Sequence, residues 1–467
     1  MHSEGANTPA AAVAGTAAAG AAAAAGAGPG LRQGAIGWVL LASLGVSYVI
    51  AGDYSGWNFG FAHGGWGGML AAVVFGCAMY TALLATLAEL ATLIPEAGAG
   101  AAFAERAFGP VAGCLAGGCI WIEYVAAAAV IAVFLQAYLQ ALTGLGGPVV
   151  VIGVFALFVA IHSAGVGEAL RVLLAMALVA LFGLIVFVAA TAPHVDTRRL
   201  FEETLAAGTS RWLPFGWKGV WSALPFGTAF FLAVEGIAMA AEEARDPARN
   251  LPRGMTAAML ILTAFAALLL VAGPGAAGVL RLKSAADPLV VALEAVYPAG
   301  AGHWVVALVN VCGLAGFLAC LFSAIFGYSR LTYALARARY LPAWLGRTNR
   351  RHVPVVGVIV PGAIGCALAL TGAAEQIFVL MVSAGTLSYL LMVPAHWIMR
   401  ARGVNVPGSY RTPGGVLTSG FAWLASLVSF TACFVANPRW SSATLGVLAL
   451  FLGSYFYRRR AARTYTG

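Results

Sequence analysis

Three carboxyl groups stand inside long apolar runs with no basic residue beside them. Asp53 follows Val46-Ser47-Tyr48-Val49-Ile50-Ala51-Gly52, Glu123 lies in Ile122-Glu123-Tyr124, and Glu235 in Phe230-Phe231-Leu232-Ala233-Val234-Glu235-Gly236. A carboxylate at the centre of a spanning helix costs roughly 2.5 to 3.5 kcal/mol on insertion scales, so each needs a partner or a task. The tasks open to Glu235 are neutralising a bound amine, coupling to a proton, and holding one helix against another. Glu123 belongs to a site or proton path, or pairs with a neighbouring helix. Asp53 either serves a site or ends its helix at the outer surface. Aromatic neighbours such as Tyr54, Tyr124 and Phe231 supply either walls of a site or ordinary packing, and an ammonium over such a ring gains roughly 0.5 to 2 kcal/mol.

Other chemistries find no support in the pattern. The seven cysteines all fall inside apolar segments, without the spacing of a metal site or a disulfide framework. No nucleophile stands with a base, and no phosphate-binding glycine loop occurs. The reading is therefore of a protein that is not an enzyme and that holds no metal or cofactor.

The elements that must position these carboxyls are apolar throughout. Hydrophobic residues make up 61% of the 467 residues and charged residues 9%, and the mean hydropathy is +0.89, values of a polytopic membrane protein. Apolar segments of about 20 residues predict twelve spans, at 36–58, 66–92, 110–142, 148–165, 172–192, 219–241, 255–280, 302–326, 353–373, 375–398, 415–435 and 442–457. With the amino terminus inside, 19 of the 26 basic residues fall on the inner side. That asymmetry puts both termini in the cytoplasm of a plasma-membrane protein. It also accounts for the net charge of +9 without nucleic acid, and the basic run Arg330 to Arg351 reads as contact with membrane lipids. The Ala/Gly-rich first 33 residues read as a disordered cytoplasmic tail.

The first and sixth spans share an oddity: a lone carboxylate beside a glycine, at Gly52-Asp53 and Glu235-Gly236. Two such interruptions five spans apart satisfy the condition for an inverted repeat, whose broken helices meet near the midplane and line a substrate cavity. Glu89, near the cytoplasmic end of the second span, is expected to pair with an inner-loop Arg, and His162, His303 and His396 to be packed or interfacial.

Four loop segments add a resemblance. They are Ala88-Glu89-Leu90-Ala91-Thr92-Leu93-Ile94-Pro95-Glu96-Ala97-Gly98-Ala99-Gly100, Glu242-Glu243-Ala244-Arg245-Asp246-Pro247, Tyr328-Ser329-Arg330-Leu331-Thr332-Tyr333, and Tyr410-Arg411-Thr412-Pro413-Gly414-Gly415. Together and in this order they resemble the cytoplasmic loops of the amino acid-polyamine-organocation superfamily, over residues 36 to 457. Gly52-Asp53-Tyr54, Gly56-Trp57-Asn58-Phe59-Gly60, Ile122-Glu123-Tyr124 and Ala233-Val234-Glu235-Gly236 are similar to its ethanolamine permease branch. The chain departs from the common superfamily pattern at Ala233, where a Gly is usual, and at Ala99 and Ala102.

The resemblance implies an all-α polytopic transporter of twelve transmembrane helices. A five-plus-five inverted-repeat core at 34–398 would be followed by two accessory helices at 399–457 and a cytoplasmic tail at 458–467. Its expected substrate site comprises Ala51, Gly52, Asp53, Tyr54, Glu123, Tyr124, Phe231, Glu235 and Gly236. Ser323 stands where sodium-coupled relatives contribute a hydroxyl ligand, and the coupling ion, proton or sodium, stays open. Relatives usually offer bare amides to a substrate carboxylate at the first break. Here Asp53 follows instead, which repels a carboxylate and attracts an ammonium. The expected cargo is thus a small organic amine, ethanolamine foremost. An amino acid or a polyamine is the alternative, and a transporter-like sensor the alternative of another class.

Overall fold

The computed structural model describes residues 36–464, apart from 97, 165–168, 299, 301, 351–352 and 405–407. The expected tail at 1–33 lies outside the described residues. Of the expected tail at 458–467, residues 458–464 continue the last helix and 465–467 lie outside.

Apolar runs in a membrane have no water to satisfy backbone amides, so the chain coils into helices. There are fifteen among the described residues: α1 (Trp38–Tyr54), α2 (Gly60–Leu93), α3 (Gly100–Phe108), α4 (Pro110–Thr143), α5 (Pro148–Ala164), α6 (Ala169–Thr191), α7 (Gly216–Thr228), α8 (Pro247–Ala277), α9 (Val279–Leu282), α10 (Pro288–Val296), α11 (Trp304–Arg337), α12 (Val355–Ala369), α13 (Ala374–Ala401), α14 (Val416–Ala436) and α15 (Pro438–Thr464). Five begin on proline, which needs no amide partner in the first turn. Among the described residues no strand forms. A single backbone bridge joins Ile36 to Ala244, with Ile36 N donating to Glu243 O and Arg245 N to Ile36 O.

Seven helical stretches are long and apolar enough to cross a membrane, and α1, α5 and α12 are shorter apolar helices. Each segment expected to span overlaps helix, the sixth with an irregular turn at its centre. Large apolar side chains face outward on the rim helices, among them Val149, Leu260, Leu417 and Leu450, forming the surface that suits lipid. Inside, α4 is buried along nearly its whole length. It packs against α11 and α13, while α11 in turn packs against α6. Likewise α1 lies on α8, and α7 lies on α2. Each of these neighbour relations in one half recurs in the other with the spans shifted by five. The short helices α3 and α10 occupy equivalent connections, one between α2 and α4, the other between α8 and α11.

Both predicted interruptions exist, and each is displaced from its carboxylate. The helix expected to break at Gly52-Asp53 continues through Tyr54. The break comes at Ser55, which is extended, and Gly56, at φ 102°. A helical 57–64 then ends at a sharp corner at Gly65, at φ 63° and ψ −171°. Gly52 stays helical because leaving the helix would strand its amide and carbonyl in an apolar surround. In the sixth span α7 ends at Thr228, residues 229–233 form irregular turns with Ala233 at φ 73°, and a 3₁₀ segment, Val234–Glu243, completes the crossing. Gly236 therefore lies inside the 3₁₀ segment and the left-handed position falls to Ala233, the site at which the sequence departs from the superfamily pattern.

Candidate functional site

A small cleft opens where α2, α3, α4, α13 and the 3₁₀ segment meet, lined by Leu87, Phe103, Ile120, Met239 and Met392 around Tyr124 and Glu235. Glu235 is placed there by the turn at 229–233, which reorients the chain just before it. Its Oε1 accepts a 2.8 Å hydrogen bond from Tyr389 Oη, and Tyr389 Oη lies 3.0 Å from Tyr80 Oη. Its Oε2 has no partner.

Glu123, about one turn beyond Cys119 on α4, presents its carboxyl to that of Glu235. It is fully buried, and neither of its oxygens has a hydrogen-bond donor. Gly385 on α13 makes room for it: a methyl group there would stand 3.1 Å from Glu123 Cδ. Two carboxyl groups facing each other, Glu123 fully buried and Glu235 half-buried at the cleft, call for a positive charge between them, either a proton or a cation. None of the ion pairs among the described residues supplies one.

Aromatic rings close the site from the side of α1. Tyr124 meets Tyr48 edge to face, with centroids 5.7 Å apart, and its hydroxyl has no partner although buried. Gly236 and Gly327 allow this approach. A methyl group at Gly236 would come within 2.6 Å of Tyr124 Oη, and one at Gly327 within 2.9 Å of the same ring. Gly236 thus provides closeness rather than the backbone break expected of it. Phe231 packs on Tyr80 at 5.9 Å, one layer behind Glu235.

The remaining expected residues lie elsewhere. With α1 continuous, Asp53 is five residues beyond Tyr48 and so points about 140° away from it. Ala42 and Gly45 meet α8 at Gly254 and Ala258, whereas Ile50 and Tyr54 meet α11 and α6 at Gly316 and Ala180. Asp53 falls between those two directions, on the face it shares with the buried Val46 and Val49. It is fully buried and both carboxylate oxygens lack a partner. Tyr54 is a packing residue, donating to Ala180 O at 2.7 Å and receiving Tyr138 Oη on its own carbonyl at 2.9 Å. Ala51 O caps the helix end by accepting from Ser55 N, and Gly52 lets α1 approach Ala229 O. Ser323 is buried, donates to Ala319 O at 3.0 Å and stands 3.4 Å from Ser47 Oγ.

Thus Glu123, Tyr124, Glu235 and Gly236 come together, and Asp53, Tyr54 and Ser323 do not join them. Tyr48, Tyr80 and Tyr389 complete the cluster and were missed. Tyr389 is one of fourteen tyrosines, and nothing in its local sequence sets it apart. Tyr48 could have been found by following the helical face from Gly45 through Gly52.

Glu89 finds the basic partner expected of it, and more. It accepts from Arg400 Nε at 3.0 Å and Nη2 at 2.8 Å, from Thr412 N at 2.6 Å and from His396 Nε2 at 3.0 Å. His396, expected to be packed, is buried at that junction.

Comparison with known proteins agrees with this architecture. The model of the family described as amino acid permease matches residues 36–453. An uncharacterised transporter of Rhizobium meliloti is 29% identical over 365 residues, 75% of each chain. The branched-chain amino acid permease BcaP of Bacillus subtilis is 24% identical, over 79% of this chain and 80% of its own. The protein of the same name in Lactococcus lactis is 26% identical, over 78% and 80%.

Proposed function

Because the chain belongs to the amino acid permease family, we propose that it is a secondary transporter whose cargo is a small organic amine, ethanolamine foremost, bound at the Glu123–Glu235 pair. It is a permease, not an enzyme. The facing carboxyls carry the proposal: an ammonium between them provides the positive charge that the pair requires, and the ring of Tyr124 offers it a further roughly 0.5 to 2 kcal/mol. The repeated packing of the two halves supports a five-plus-five inverted-repeat core followed by two accessory helices, with alternating access around this point.

A second feature favours an amine over a zwitterion. A substrate carboxylate needs free amides at the helix breaks. Here the amides of Ser55, Gly56, Phe231, Leu232, Val234 and Gly236 all donate within the chain.

The amino acid reading is supported by the relatives' names and by the apolar lining of Leu87, Ile120 and Met392, which suits a branched aliphatic side chain. One assay decides between the two. Purified protein in liposomes should take up labelled ethanolamine, and unlabelled ethanolamine should compete better than leucine, isoleucine or valine. Uptake of leucine with no competition by ethanolamine would overturn the amine assignment and leave the permease reading standing.

A further inference from the structure

Asp53 is a buried carboxyl that the cleft does not use. We infer that Asp53 is a proton-carrying site of the transport cycle, separate from the substrate site and seated between α1, α6 and α8. The inference rests on the transport reading, though not on which amine is carried.

The geometry is specific. Asp53 is the one carboxyl of the continuous helix α1, it points between the faces that meet α8 and α6, and neither of its oxygens meets a donor. The groups around it cannot hold it as a fixed anion. From 172 to 191 on α6, and from 254 to 277 on α8, no ionisable side chain occurs. From α11 the ionisable groups at this level are the thiols of Cys312 and Cys320. On its own helix there is Tyr54, whose hydroxyl is committed to Ala180 O. On the 3₁₀ segment Glu235 lies beyond Tyr48, on the other side of α1. A metal ion would need several further oxygens, and no cluster of three or more metal-ligating side chains occurs among the described residues. A proton needs only the carboxylate.

The position also gives the proton something to act on. Asp53 immediately precedes the break at Ser55–Gly56. Trp57 Nε1 donates to the Asp53 carbonyl at 3.1 Å, and the Trp57 ring stacks on Phe230 at 5.7 Å, a residue of the sixth-span turn. Charging Asp53 in this apolar surround favours exposing it to water, and neutralising it favours the packed arrangement. In the cycle an O–H bond forms at Asp53 with a proton from one side of the membrane. That bond breaks to water on the other side, so one proton crosses for each full turn.

Two measurements test this. Infrared difference spectra of the full-length protein in phosphatidylcholine and phosphatidylglycerol vesicles, between acid and alkaline buffer, should contain a protonated-carboxyl band that is lost in Asp53→Asn and unmoved by ethanolamine. Proteoliposomes under a one-unit pH gradient at zero membrane potential should accumulate the carried probe, labelled ethanolamine or leucine, about tenfold for one coupled proton. Asp53→Asn should equilibrate the probe at a ratio near one while still exchanging internal for external probe, and Asp53→Glu should restore accumulation. Accumulation by Asp53→Asn, loss of exchange together with accumulation, or a spectrum with no Asp53-dependent band would each overturn the inference. If neither probe enters with the wild type, the substrate reading fails while the infrared titration still decides Asp53.

Discussion

At the scale of single residues the site depends on two carboxyls brought face to face and on a glycine that lets an aromatic pair come close. Glu235 keeps one oxygen on Tyr389 and leaves the other open, so it is held in place yet available to a cation. Gly236 gives a sharper test of the packing, because a methyl group there has nowhere to go between Tyr124 Oη at 2.6 Å and the Tyr48 ring at 2.9 Å. Gly236→Ala should destabilise the protein by about 1 to 3 kcal/mol, the usual range for overpacking, read as a lowered thermal midpoint in detergent. The companion change Tyr48→Phe should leave the midpoint within a degree or so, because the Tyr48 ring and not its hydroxyl makes the contact. A variant with an unshifted midpoint would mean that Gly236 is not packed as described. The existence of the three carboxyls was plain in the sequence, since a charge in an apolar run is conspicuous. Which of them meet was not, because that depends on helical phase. A glycine next to Asp53 suggested local unwinding, and the helix instead runs on for two residues and turns the carboxyl away from the cleft.

At the scale of elements, one end of the bundle is tied by a buried ionic junction. Glu89 on α2 gathers Arg400 and His396 from α13 and the amide of Thr412 from the connection to α14. Breaking one partner of a buried pair costs about 3 to 5 kcal/mol, and the partial exposure of Arg400 puts Glu89→Gln at the lower end of that range. The expected outcome is a lowered thermal midpoint and faster protease cleavage in the connection after α13. Unchanged cleavage would mean that the junction does not secure that connection. The sequence announced Glu89 through its place near a span end, and it announced the spans through apolar runs whose limits agree with the helices to within a few residues for most of the chain. Helix-internal detail was less legible. The 3₁₀ form of Val234–Glu243 and the left-handed Ala233 arise from packing against α1 and α4, and propensity offers no sign of either.

At the scale of the whole molecule, the two halves repeat the same neighbour relations, and the breaks of the first and sixth spans lie across from one another. Gly52 approaches Ala229, Tyr48 approaches Gly236, and Ile36 pairs with Ala244, so the two interrupted spans run antiparallel through the centre. Membership in the amino acid permease family follows from the match over 36–453, and the cargo proposed above rests on charge. The most direct test of that claim is equilibrium binding of ethanolamine and of leucine to the purified wild type and to Glu235→Gln. Removing one of two facing carboxylates should weaken ethanolamine binding tenfold or more, about 1.4 kcal/mol, with leucine the weaker ligand of the wild type. Ethanolamine binding unchanged in Glu235→Gln, or leucine bound more tightly than ethanolamine by the wild type, would contradict the assignment of this site to a cationic amine.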